Sequence, residues 1–193
     1  FMNLVQLDAS GAQVSCVALS NEVAGFQANV TVRDVVSSYP FSNTLVVLRV
    51  TGETLRLALE QCATYFHSSA EGSLSIDDTF TKPKEAHYNY DYFYGIEYTM
   101  DLRKPVGDRV TKLTLQGKHI HADEPLTLVM SNYRATGAGG FYFYKLCPRI
   151  REIQTEVSEL ILNYLSSREM VDIPDEKPYN VILQNCGADN HSL

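Results

Sequence analysis

Apolar positions along this chain recur at two spacings, and each predicts its own kind of element. Thr31 and Asp34 open a short helix over Val32–Ser38 as a capping box, and Pro40 closes it because the residue before a proline avoids helical backbone. Thr44–Val50 is a β-branched run between turn signals and predicts a buried strand. Gly52 breaks it. Thr54–Phe66 then places Leu55, Ala58, Leu59, Cys62 and Phe66 three or four apart, which is one apolar helical stripe. Residues 67–84 are rich in Ser, Asp, Glu and Pro and predict a loop.

Ile96–Asp101 alternates as a half-exposed strand does, and Val110–Gln116 and Leu126–Ser131 predict two more strands. A last helix is expected after Thr155, read as its cap, with Val157, Leu160, Ile161, Tyr164 and Leu165 on the inner face. Pro174 and Pro178 mark an extended tail, and Asn185–Leu193 carries little ordering signal. Strands and helices interleave without strict alternation. The expected class is therefore α+β, a mixed sheet with packed helices, in one domain over 1–182 and a loose tail over 183–193.

Composition narrows the functional classes. With 193 residues, 45% hydrophobic and 20% charged, the chain can bury a core without disulfides or metal. Sixteen basic against 23 acidic residues leave a net charge of −7, which argues against a nucleic-acid polymer as partner. No apolar run is long enough for a membrane span. No signal peptide is visible, and Phe1 in place of an initiator Met suggests a fragment. Cys16, Cys62, Cys147 and Cys186 are scattered without a CxxC pair, which disfavours a disulfide framework or a zinc site.

Candidate chemistry is sparse. There is no GxSxG or Cys–His signature and no P-loop. His119 and His121, two apart, could share one ion if on a strand, but no third ligand of fixed spacing accompanies them. They read more simply as exposed hairpin residues. Tyr88, Tyr90, Tyr92, Phe93 and Tyr94 fall within seven residues of a chain with 12 tyrosines and no tryptophan. Such rings can form a stacking platform, although aromatic residues more often fill a core. Gly137, Gly139 and Gly140 follow Asn132-Tyr133-Arg134 and either form an ordinary turn or let a ligand approach the backbone closely.

The combination resembles the C-terminal domain of the 5′-nucleotidase family. The motifs that carry the resemblance are Asn21–Phe26, Tyr39–Leu45, Tyr88-Asn89-Tyr90-Asp91, Gly95–Tyr98, Pro105–Val110 and Asn132–Phe141, together covering roughly residues 14–182. Among its branches the sequence is most similar to the bacterial 2′,3′-cyclic-nucleotide 2′-phosphodiesterase/3′-nucleotidases. The Asn-Gly-Gly-Gly-Ile-Arg run of many 5′-nucleotidases is absent here, where Ala18–Val23 stands, so Asn21 is the weakest of the inherited positions.

The resemblance implies a domain that binds the nucleoside part of a substrate between two aromatic rings, with no catalytic residue or metal of its own. Two divalent metal ions and the hydrolytic residues would belong to an N-terminal metallophosphoesterase domain of the same parent chain, placed outside the cell, in its wall or in a periplasm. Motif by motif, Tyr90 falls at the first stacking ring, with Tyr88 as a substitute two residues away, and Phe141 at the second. Asn132, Arg134, Gly139 and Gly140 come with them as the second ring's neighbourhood. The competing expectation is a surface module that binds protein or glycan through its tyrosines.

Overall fold

The computed structural model describes residues 1–22, 25–68, 73–173 and 177–182. In chain order the elements are α1 (Met2–Ser10), β1 (Val14–Ala18), α2 (Val32–Ser38), β2 (Leu45–Thr51), α3 (Gly52–Ala63), β3 (Phe66–Ser68) and β4 (Leu74–Ile76). Then come β5 (Asp91–Tyr94), β6 (Glu97–Asp101), β7 (Val110–Leu115), β8 (Lys118–His119), β9 (Pro125–Ser131), the single turn α4 (Asn132–Ala135), β10 (Arg149–Ile153), α5 (Val157–Ser166) and β11 (Tyr179–Ile182). The expected tail over 183–193, with Cys186, and Pro174 and Val23-Ala24 lie outside the described residues.

A five-stranded sheet in the order β10-β2-β9-β1-β5 forms the middle of the molecule. Only β1 and β9 pair in parallel within it; the other neighbours are antiparallel. This is the mixed sheet with packed helices that the sequence predicts. Side-chain alternation along its central strands feeds two cores. Val46, Leu48 and Val50 of β2 face one side with Leu126, Leu128 and Met130 of β9, while Leu45, Val47 and Val129 face the other. Both faces are covered, so β2 reads as a nearly unbroken apolar run rather than as an alternating one.

Val5 of α1, Val35 of α2, and Val157 and Ile161 of α5 close one core. The stripe Leu55, Ala58, Leu59 and Cys62 of α3 closes the other, together with Tyr98, Met100 and Leu113 of a second sheet in the order β11-β6-β7-β8. Leu55 and Leu59 are fully buried, which contributes about 1.5–3 kcal/mol for each side chain.

The structure departs from the pattern at several ends. The third helix stops at Ala63, with Thr64 as its C-cap, so Phe66 belongs to β3 rather than to the helical stripe. The expected loop over 67–84 contains β4 and a turn whose Phe80 enters the core. Glu156, not Thr155, stands at the N-cap of α5, and its side chain makes no capping bond. Residues 179–182 of the expected extended tail pair in parallel with β6 as β11. The register that matters for the site is at one sheet end: Ala18 pairs with Asp91, and Ser15 with Val129. There β1 and β9 finish and β5 begins.

Candidate functional site: two turns joined by a buried ion pair

At that sheet end two short segments meet. One is the turn His87–Asn89 that leads into β5; the other is the glycine-rich turn that follows α4. The hydroxyl of Ser131 caps α4 by accepting from the Arg134 backbone N–H. This cap sends the Arg134 side chain inward, where it is 2% exposed. Its Nε and Nη2 donate to Oδ1 of Asp91 at 3.1 and 2.7 Å. Nη2 also donates to the Tyr88 carbonyl and Nη1 to the Ala138 carbonyl, both at 2.5 Å. One guanidinium therefore holds both turns and the first residue of β5.

Asp91 is 1% exposed. Burial pushes its carboxyl above the ordinary carboxylate range, and the Arg134 charge works in the opposite direction. The Cys16 thiol, also buried, neighbours this carboxyl, and the Cys62 thiol donates to the Asp91 backbone carbonyl at 3.5 Å. Burial pushes both thiols up, and both are free, as is Cys147. Buried neutral thiols of this kind act as small apolar residues.

The glycine turn fits against its neighbours because it lacks side chains. Gly139 has φ +73°, and a Cβ there would overlap Oδ1 of Asn89 and Nη1 of Arg134. Gly140 has φ +91° and would meet the Gln61 amide. Both conformations favour glycine. Oδ1 of Asn89 is itself buried without a hydrogen-bond partner among the described residues.

The two expected stacking rings, Tyr90 and Phe141, both lie in the hydrophobic core of this structure. Tyr90 is 5% exposed, packed against Tyr65, Phe66 and Tyr92 at ring separations of 5.0–5.8 Å. Phe141 is 0% exposed; one face carries the Arg134 guanidinium at 4.3 Å, and Tyr144 stacks on it at 5.7 Å with 6° between planes. A cation and a ring already occupy Phe141. For Tyr90 the reason lies in the residues around it: it sits just before β5, whose own inward positions are Asp91 and Phe93, and its ring completes an aromatic cluster with Tyr65, Phe66 and Tyr92.

Of the other expected positions, Tyr88, Arg134, Gly139 and Gly140 come together at the two turns. Tyr88 is half-buried, and Tyr142, which follows Phe141 in the chain, is 71% exposed. Asn132 stands apart from the ion pair: its Oδ1 accepts from the Thr44 and Tyr133 backbone N–H groups and ties α4 to the start of β2. Asn21 donates to the Glu85 carbonyl, just before the tyrosine turn. His119 and His121 are exposed at the β7–β8 hairpin with their rings 5.2 Å apart. Among the described residues no group of three or more His, Cys, Asp and Glu side chains is arranged to hold a metal ion.

Asn89 and Asp91 enter the sequence reading only as members of the Tyr88-Asn89-Tyr90-Asp91 motif, with no site role, and Tyr142 does not enter it. A charged residue two positions before Phe93, on the inward face of an apolar strand, is the signal that points to Asp91. Tyr142 follows Phe141 directly, and only its exposure separates the two.

The sequence profile of the 5′-nucleotidase C-terminal domain matches residues 1–145. A 2′,3′-cyclic-nucleotide 2′-phosphodiesterase/3′-nucleotidase of Haemophilus influenzae is 30% identical over 152 residues, 67% of this chain and 22% of that protein. The trifunctional nucleotide phosphoesterase protein YfkN of Bacillus subtilis is 24% identical over 158 residues, 75% of this chain and 11% of its own length. A candidate 5′-nucleotidase of Staphylococcus aureus, solved in complex with alpha-ketoglutarate, superposes with a TM-score of 0.88 at 37% identity, covering 94% of this chain and 36% of that one. The chain thus spans only about a fifth or less of the curated relatives it matches.

Proposed function

This chain belongs to the family of 5′-nucleotidase C-terminal domains, and we propose that it is the nucleoside- or nucleotide-recognising part of a longer, metal-dependent phosphoester hydrolase. Its substrates would be 2′,3′-cyclic nucleotides or 3′- or 5′-nucleotides, and the parent would work outside the cytoplasm. The observation that carries the reading is the meeting of the tyrosine turn and the glycine turn at one sheet end, in a chain with this family match. Ligands of mixed sheets favour the ends of parallel strands, and β1 and β9 end here.

The division of labour follows from chemistry. Two divalent ions in a preceding domain would supply an activated water and neutralise developing phosphate charge. The residues of this chain bind and orient the nucleoside. In this reading the exposed ring of Tyr142, with Tyr88, takes the stacking role. Arg134 and Asp91 stay behind the surface as its support.

Titration of the ¹⁵N-labelled protein with adenosine and 3′-AMP tests this. Saturable shifts are expected at Tyr88, Gly137–Gly140 and Tyr142, and Tyr142→Ala is expected to weaken adenosine binding about 5- to 150-fold, the equivalent of about 1–3 kcal/mol for one lost stack. Absence of any shift at millimolar ligand overturns the reading. A second reading, a surface module working through tyrosines, is favoured by a cleft of ≈ 330 Å³ beside β5, lined by Tyr92, Tyr94 and Tyr179. Ligand-induced shifts confined to those three residues would support it instead.

A further inference from the structure

We propose that Arg134 is a positioning residue that fixes the tyrosine turn and the glycine turn in one mutual arrangement, with Asp91 as its anchor, so that they present a single recognition surface. The role in recognition rests on the nucleoside reading above; the coupling of the turns does not. The argument starts from the shape of the guanidinium. Its donors lie in a rigid fork, and three different segments accept from it: the Asp91 carboxylate, the Tyr88 carbonyl and the Ala138 carbonyl. α4 follows β9, and Asp91 opens β5, so the side chain reaches across the end of β1, which lies between those strands. Among the described residues no other hydrogen bond joins the two turns directly, and Gly139 leaves the space through which the guanidinium reaches Ala138.

A buried ion pair is a costly way to stabilise a fold, since well-packed apolar residues often serve equally well. This one joins carbonyls from two turns that no continuous secondary structure connects. Lysine at position 134 would keep the charge beside Asp91 but not the fork. An apolar pair, Asp91→Leu with Arg134→Met, would keep the packing but lose every tie.

The test uses R134K and the D91L/R134M double variant. Hydrogen exchange is read at the amides of Asn89, Tyr90 and Gly137, which donate to Ala86, His87 and Arg134 carbonyls and so report each turn's closure. Exchange in both turns is expected to speed up together by about tenfold or more, while β2 and β9 amides stay protected as in the wild type. Adenosine affinity is expected to fall by about tenfold or more in the same variants, the scale of lost charged hydrogen bonds. Unchanged exchange, or loosening of one turn only, overturns the coupling. Joint loosening with wild-type adenosine affinity overturns the role in recognition. If the wild type itself binds no adenosine, the nucleoside reading fails, and the exchange result alone upholds or overturns the coupling.

Discussion

Asp91 and Arg134 show how much a single buried contact can fix. Removing one partner leaves an uncompensated charge in the interior, so Asp91→Ala is expected to cost about 3–5 kcal/mol in urea unfolding, whereas the apolar double variant should lose far less. Gly139→Ala meets two obstacles at once, a left-handed backbone and the side chains of Asn89 and Arg134. A loss of about 1–3 kcal/mol is expected from the same measurement. At this scale the sequence was legible in kind but not in place. The aromatic run before Gly95 and the glycine run before Phe141 do meet in space. Yet nothing in Tyr-Asn-Tyr-Asp tells which ring turns inward, because that depends on the pairing of β5 with β1, a contact more than 70 positions away along the chain. Tyr90 and Phe141 were absorbed by the core, and the solvent-facing ring is the next residue, Tyr142.

Elements with strong local signals were read closely, and those defined by distant partners were not. The capping box of α2 forms as predicted: the Thr31 hydroxyl accepts from the Asp34 N–H, and the Asp34 carboxylate accepts from the Thr31 N–H at 2.7 Å. Thr31→Ala is expected to cost about 1 kcal/mol, read as a lowered urea midpoint. β2 and β9 were legible because β-branched and leucine-rich runs bounded by turns suit strands covered on both faces. Val14–Ala18 was not, since Ser15 and Cys16 weaken the pattern, and only its neighbours β9 and β5 make it a strand. α1 has little apolar periodicity and is held by packing on β1 and α5. Arg149–Ile153 reads as polar for a different reason, its place at the border of the sheet.

Over the whole molecule, opposite pKa shifts bracket a range of maximum stability. The Arg103 guanidinium holds the Asp101 carboxyl below its ordinary value, and the Thr31 hydroxyl does the same for Asp34. The unfolded chain then binds more protons in acid, so these contributions are present above about pH 4 and are lost as pH falls through the lowered values. Burial of Cys16 and Cys62 has the opposite sign. Their folded thiols sit above the ordinary value, so that stability is present below about pH 8.5 and declines as pH rises beyond it. Urea midpoints measured across pH should fall at both ends, with Asp101→Asn flattening the acid side and Cys62→Ala the alkaline side. The raised Asp91 carboxyl adds a decline of its own as pH rises above about 4. The outermost strand of the central sheet has a consequence of another kind. β10 carries Arg149, Arg151 and Glu152 along a border whose far side has no partner strand among the described residues. Charged borders repel a second copy that would otherwise extend the sheet. Replacing Arg149 and Glu152 with valine should therefore turn a clear concentrated solution turbid, with fibre-like association visible by light scattering while the unfolding midpoint barely moves.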